Sequence, residues 1–112
     1  LYQEFHPAVL HALKHVVDAA HAENKPLGIC GEMAGNPAAA ILLMAMGYDV
    51  LSMNSNNLLP VKWAIRSFEL TQAQQMLAQV LRMDNAPDIK TYIDEQMRKA
   101  GLGRIVRTRP PQ

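Results

Sequence analysis

Apolar residues fall into short blocks along this chain, and the spacing within each block predicts the element it builds. Between Pro7 and Ala20, the positions Val9, Leu10, Leu13, Val16, Val17 and Ala20 recur at helical spacing and form one stripe. His11, Lys14, His15, Asp18 and His21 fall largely on the other face. Pro7 suits the first helical position, where the N–H that proline lacks would have no partner. Asn24 is placed to end the helix in a left-handed cap, and Pro26 stops any continuation. The run Leu27-Gly28-Ile29-Cys30 is short and bounded by Pro26 and Gly31, which predicts a buried strand. Gly31 to Gly35 reads as a loop. Asn36 then caps, and Pro37 opens, a nearly all-apolar helix that runs to Met46 and ends at Gly47.

Val50-Leu51-Ser52-Met53 is a second predicted strand. The stretch between the two strands accommodates a crossover helix, so the pair is expected to be parallel. A polar loop from Asn54 to Asn57 leads into a helix with Pro60 near its start. Thr71 and Gln74 suggest a capping box for a helix to about Met83, and Pro87 and Gly101 bracket a last one. The stripes Met76, Leu77, Val80, Leu81 and Ile89, Tyr92, Ile93, Met97 support a helical hairpin. It can dock on its own domain or on a partner, and the pattern does not choose. The resulting order is α-β-α-β-α-α-α. Two parallel strands are too few for a stable sheet, since parallel sheets have both faces covered and several strands. Hence the chain reads as an α/β piece, two βα units of a larger barrel or sheet. An all-helical domain is the alternative.

Composition narrows the class. At 112 residues and 12.4 kDa there is room for one domain. Apolar residues are 49% and charged residues 19%, which excludes an intrinsically disordered chain. The net charge of +1 makes no electrostatic case for nucleic acid or an anionic membrane surface. The longest apolar run, Pro37 to Met46, falls well short of the roughly 20 residues that span a bilayer. A single cysteine excludes an internal disulfide framework and any multi-cysteine metal site. With Leu1 in place of Met and no signal peptide, the expectation is a cytoplasmic protein of which this is a piece.

Cys30 is the leading candidate for chemistry. It sits at the C-terminal end of a predicted parallel strand, where the βα loops of α/β folds assemble their sites. A thiol there can act as a nucleophile or exchange a proton. A buried cysteine serving as a small hydrophobe is the competing interpretation. Glu32, two residues on, can hydrogen-bond a substrate or stand as an ordinary solvated carboxylate. Asn54 follows the second strand as Glu32 follows the first, and is otherwise a common turn residue. His11, His15 and Asp18 share one helix face with the spacing of metal ligands, but that face is the solvent side, which favours plain solvated residues. Met33, Met44, Met46 and Met53 read as core or pocket lining.

The segment Gly28-Ile29-Cys30-Gly31-Glu32-Met33-Ala34-Gly35, followed by an apolar helix and then Leu51-Ser52-Met53-Asn54, resembles the end of a PEP-utilising enzyme. It is similar to enzyme I, the phosphoenolpyruvate–protein phosphotransferase family. His6-Pro7-Ala8-Val9-Leu10, Asp18-Ala19-Ala20-His21-Ala22-Glu23 and Gly47-Tyr48-Asp49 match that family too. The added helices ending in Ala100-Gly101-Leu102-Gly103 look like its nitrogen-related branch.

The resemblance implies that residues 1–70 are the C-terminal portion of a PEP-binding (β/α)8 barrel. It makes 71–101 a C-terminal helical hairpin and 102–112 a flexible basic tail carrying Arg104, Arg107 and Arg109. In that family, phosphoryl passes from phosphoenolpyruvate to an enzyme histidine and on to a histidine-containing phosphocarrier protein. The cysteine matching Cys30 protonates the enolate to give pyruvate, and Glu32 and Asn54 would bind substrate. A thiol, with an ordinary pKa of about 8.5, can deliver a proton near neutral pH. Mg²⁺ is the implied cofactor, the parent enzyme is expected to be a homodimer, and neither nucleic acid nor membrane is a partner. The phosphorylated histidine, the phosphate-gripping arginines and the Mg²⁺ carboxylates lie upstream in the family, so the piece alone is expected to be inactive. The chain departs from the family at Asn36, often aspartate, and Asn54, often serine. Two alternatives stand beside this reading: a pyruvate phosphate dikinase-type enzyme, in which histidine commonly replaces Met33, and a helical regulatory or interaction module.

Overall fold

A computed structural model describes residues 5–103. It contains α1 (Pro7–Ala22), β1 (Gly28–Cys30), α2 (Pro37–Met46), β2 (Val50–Ser52), α3 (Ser55–Arg66), α4 (Leu70–Val80) and α5 (Ala86–Lys99). This is the predicted α/β order, and it rules out the all-helical alternative. Of the tail expected at 102–112, Leu102 is fully buried and bonded to the end of α5, and residues 104–112 lie outside the described residues. Among those described, no helix is long and apolar enough to cross a membrane.

Helix ends account for the order. Asn36 Oδ1 accepts from the backbone N–H of Ala38 and Ala39, so α2 starts where its sequence says it should. Three helices then stop in the same way, at a left-handed residue: Asn24 (φ 59°), Gly47 (φ 107°) and Gly101 (φ 83°). In each case the next N–H reaches back to the helix: Lys25 to Ala20 O at 2.9 Å, Tyr48 to Leu43 O at 3.1 Å and Leu102 to Met97 O at 2.8 Å. These bonds satisfy carbonyls that the helix leaves unpaired.

β1 and β2 are parallel, with Gly28 opposite Val50, Ile29 opposite Leu51 and Cys30 opposite Ser52. The predicted burial is realised on one face only of this two-strand piece. Alternate strand residues face opposite sides, so Ile29 and Leu51 pack on the core while Gly28, Cys30, Val50 and Ser52 are exposed. Helices cover one face of the pair and leave the other open.

The centre of the molecule is α2, which packs chiefly against α3 and α4 and also touches α1 and α5. Ile41, Leu42 and Leu43 are consecutive and all fully buried, which requires neighbours on every side of the helix. α4 and α5 provide part of that cover through Ala73, Met76, Leu77, Val80, Ile89, Ile93 and Met97. The hairpin therefore docks on its own chain.

Three local expectations are corrected. The stripe of α1 is narrower than predicted: Leu10 and Val17 are buried, whereas Val9 and Val16, one residue off the seam, are 38% and 50% exposed. The Asn54–Asn57 segment is the first turn of α3, because Asn54 caps the helix by accepting from Asn56 N at 3.2 Å. Pro60 consequently lies inside α3, where it deprives the Asn56 carbonyl of its helical donor. The box at the start of α4 is formed by Glu69 and Gln72, with Gln72 Oε1 accepting from Glu69 N at 2.8 Å. Thr71 and Gln74 are exposed positions within that helix, which ends at Val80.

Asp49 ties the start of the strands together. Its carboxylate accepts from His21 Nε2 at 2.8 Å and from Leu27 N at 2.7 Å, and its own N–H donates to Leu27 O at 2.8 Å. The His21 and Leu27 bonds hold the carboxyl below the usual carboxylate range. A carboxyl whose pKa is lowered by folding stabilises the fold above its unfolded pKa, and that contribution disappears as pH falls through the folded value. Asp49→Asn should thus lower the unfolding midpoint at pH 7, with the gap to the native chain closing below about pH 4. Urea unfolding of both chains at pH 7 and pH 3 checks this; a gap unchanged by pH would contradict it.

Candidate functional site

The two strands end side by side, and the loops that follow them form a cleft. Cys30 is the last residue of β1 and its thiol is free and exposed. Gly31 follows with φ 110°, a conformation that a side chain would strain. Two overlapping turns then fold the loop: Gly35 N donates to Glu32 O at 3.1 Å, and Asn36 N to Met33 O at 3.2 Å. Met33 and Ala34 are buried and anchor the loop in the core, while Glu32 stays in solvent. From the other strand, Ser52 stands opposite Cys30, and Met53 and Asn54 lead into α3.

Cys30, Gly31, Glu32, Ser52, Met53, Asn54 and Asn57 line an open cleft of about 390 Å³. It lies at the C-terminal end of the parallel strands, the end at which α/β folds bind ligands. All three predicted site residues, Cys30, Glu32 and Asn54, are brought together there. Asn54 also holds a structural post, since its Oδ1 is engaged by Asn56 N. Its amide nitrogen makes no hydrogen bond to a described residue. Ser52 and Asn57 were not foreseen. Parallel register would have paired Ser52 with Cys30, and i,i+3 helical spacing would have placed Asn57 beside Asn54, had 54–57 been read as helix.

The lining is chemically one-sided. It offers a thiol, a hydroxyl, two amides and one carboxylate, and no lysine or arginine. A phosphate group needs several charge-assisted hydrogen bonds, which these residues do not provide. Nor do they fit Mg²⁺, which takes near-octahedral oxygen ligation from carboxylates and substrate phosphates. Glu32 is the single carboxylate in the cleft, and no group of three His, Cys, Asp or Glu able to hold a metal occurs among the described residues. The polar face of α1 is used otherwise: His11 Nε2 bonds to Leu81 O at 3.0 Å, and Lys14 pairs with Asp18. Chemically, then, the cleft can give or take a proton and hold a small polar group, while any anion it shares must be gripped from elsewhere.

Comparison with known proteins agrees with that geometry. The family described as PEP-utilising enzyme, PEP-binding domain, matches residues 1–70. A phosphoenolpyruvate-protein phosphotransferase of Bacillus sp. (strain S) is 38% identical over 93 residues, 83% of this chain and 16% of the relative. The protein of the same name from Haemophilus influenzae is 39% identical over 95 residues, 85% of this chain and 16% of the relative. A Salmonella typhimurium protein named phosphoenolpyruvate-dependent phosphotransferase system is 32% identical over 107 residues, 96% of this chain and 14% of the relative. The chain thus spans about a sixth of the length of these relatives. It belongs to the PEP-utilising enzymes, as a part of their PEP-binding domain.

Proposed function

We propose that this chain supplies the proton-donating edge of the active site of a phosphoenolpyruvate–protein phosphotransferase, with Cys30 as the acid. The observation that carries the reading is the place of Cys30: exposed at a strand end, on a cleft shared with Glu32 and Asn54. The P–O bond of phosphoenolpyruvate breaks as a histidine nitrogen elsewhere in the enzyme takes the phosphoryl group. The electron pair of the resulting enolate then forms a C–H bond at C3 with the Cys30 proton, giving pyruvate and a thiolate that water reprotonates. The Asn54 amide donates to a substrate oxygen at this edge, and Glu32 lines the substrate site beside it.

The phosphate-binding cations and the Mg²⁺ carboxylates come from other parts of the enzyme. A histidine-containing phosphocarrier protein receives the phosphoryl group, and the enzyme works as a cytoplasmic homodimer. In this reading residues 1–70 complete the barrel and 71–101 form the added hairpin, outside the span that the family match covers. The nitrogen-related branch is our reading of the added helices that end in Ala100-Gly101-Leu102-Gly103.

Phosphorus NMR of the longer protein carrying this segment, with phosphoenolpyruvate and Mg²⁺, tests the function. A phosphohistidine signal with matching pyruvate release is expected. The 112-residue chain, titrated by calorimetry under the same conditions, should show no saturable binding. Absence of phosphohistidine in the longer protein, or tight binding by this chain alone, would overturn the reading.

A further inference from the structure

The two glycines of the loop after Cys30 differ in their surroundings. At Gly31, an added Cβ would meet nothing within 4 Å, so no neighbouring side chain braces the turn beside the thiol. At Gly35 the situation is reversed. A Cβ there would lie 2.6 Å from Asn57 Nδ2, 3.1 Å from its Cγ and 3.3 Å from its Cβ. The Asn57 side chain therefore lies directly over the Gly35 backbone, and any Cβ at that position would require Asn57 to move. Gly35 is buried and Asn57 half-buried, so the contact is an interior one.

The backbone on both sides of this contact is held. Gly35 N donates to Glu32 O at 3.1 Å, linking it to the residue two beyond Cys30. Asn57 sits in the capped first turn of α3, with its N–H on Asn54 O at 3.1 Å. Cys30 and Asn57 also line the same cleft. We propose that Asn57 is a positioning residue: wedged against Gly35, it sets the loop after β1 and with it the placement of the Cys30 thiol against the substrate. This rests on Cys30 being the acid of the reaction.

A donor that must meet one carbon atom is sensitive to placement, since shifts of about 1 Å can cost roughly a hundredfold in rate. In the longer protein, Asn57→Ala should lower kcat for pyruvate formation by about tenfold with KM for phosphoenolpyruvate nearly unchanged. Gly35→Ala should be worse, because its new Cβ meets Asn57. Gly35→Ala combined with Asn57→Ala should recover to the Asn57→Ala level, the non-additivity expected of one shared contact. A readout specific to placement is the stereochemistry of deuterium incorporation at C3, using a 3-substituted phosphoenolpyruvate in D₂O. A well-placed thiol delivers to one face, whereas enol released into solvent is protonated on both.

Loss of facial selectivity in Asn57→Ala, with an unchanged melting temperature, is the expected result. Native kcat and selectivity in Asn57→Ala, in a protein where Cys30→Ala has lost both, would overturn the role of Asn57 alone. Retained selectivity in Cys30→Ala would instead remove the acid assignment, and the positioning role with it. If Gly35→Ala does not fold, a folded double variant with the activity of Asn57→Ala supports the wedge, and a double variant that also fails to fold refutes it.

Discussion

Cys30→Ala in the longer protein should reduce pyruvate release by about 10²–10⁴-fold, the usual contribution of a positioned acid. Phosphorylation of the enzyme's own histidine from phosphoenolpyruvate should fall far less. The two steps separate because the phosphoryl group leaves before C3 needs its proton. An alanine methyl occupies the thiol's place without carrying a proton, and it adds no charge and little bulk. Cys30 is exposed, so truncating it opens no cavity in the core. A melting temperature unchanged by the substitution would show that the loss is chemical. Water can protonate the enolate slowly, which leaves a residual rate. Rapid-quench measurement of phosphohistidine beside a coupled assay of pyruvate distinguishes the steps. Equal loss of both, or undiminished turnover, would defeat the assignment.

Legibility in the sequence followed the physics of each signal. Proline at helix starts and a left-handed residue at helix ends act locally, so Pro7, Asn24, Asn36, Pro37, Gly47 and Gly101 marked boundaries that the fold reproduces. The place of the candidate cleft was legible for a related reason. A strand followed by a glycine loop dictates which end of the sheet Cys30 occupies, whatever the rest of the molecule does. Full burial of the strands needs neighbouring elements that a two-strand piece does not hold, so one face stays open. Val50 is 56% exposed despite sitting in an apolar run. Asn57 was missed through a single misreading: three asparagines in four residues look like a turn, yet Asn54 uses its side chain to start a helix. The Glu69–Gln72 box was displaced by the same kind of ambiguity, since glutamate is an uncommon cap and threonine a common one.

The second large effect concerns the hairpin. Were α4 and α5 an appendage, truncating their apolar side chains would cost little. Instead Ile93 is fully buried and belongs to the same core as Ile41, Leu42 and Leu43 of α2. Removing three of its carbons forfeits transfer energy and leaves a cavity that a tightly packed interior fills only in part. Ile93→Ala should accordingly cost about 2–5 kcal/mol, the range for such truncations at buried positions. Leu42→Ala, in the middle of α2, should fall in the same range. Leu59 provides the contrast: it is 74% exposed on α3, and Leu59→Ala should stay within about 0.5 kcal/mol. Urea unfolding of the three variants and the native chain, at several protein concentrations, makes the comparison. If Ile93→Ala behaves like Leu42→Ala, the helix that follows the Cys30 loop depends on the hairpin for its outer cover. If it behaves like Leu59→Ala, the hairpin folds apart from the edge that carries Cys30, and the chain does not share a single core.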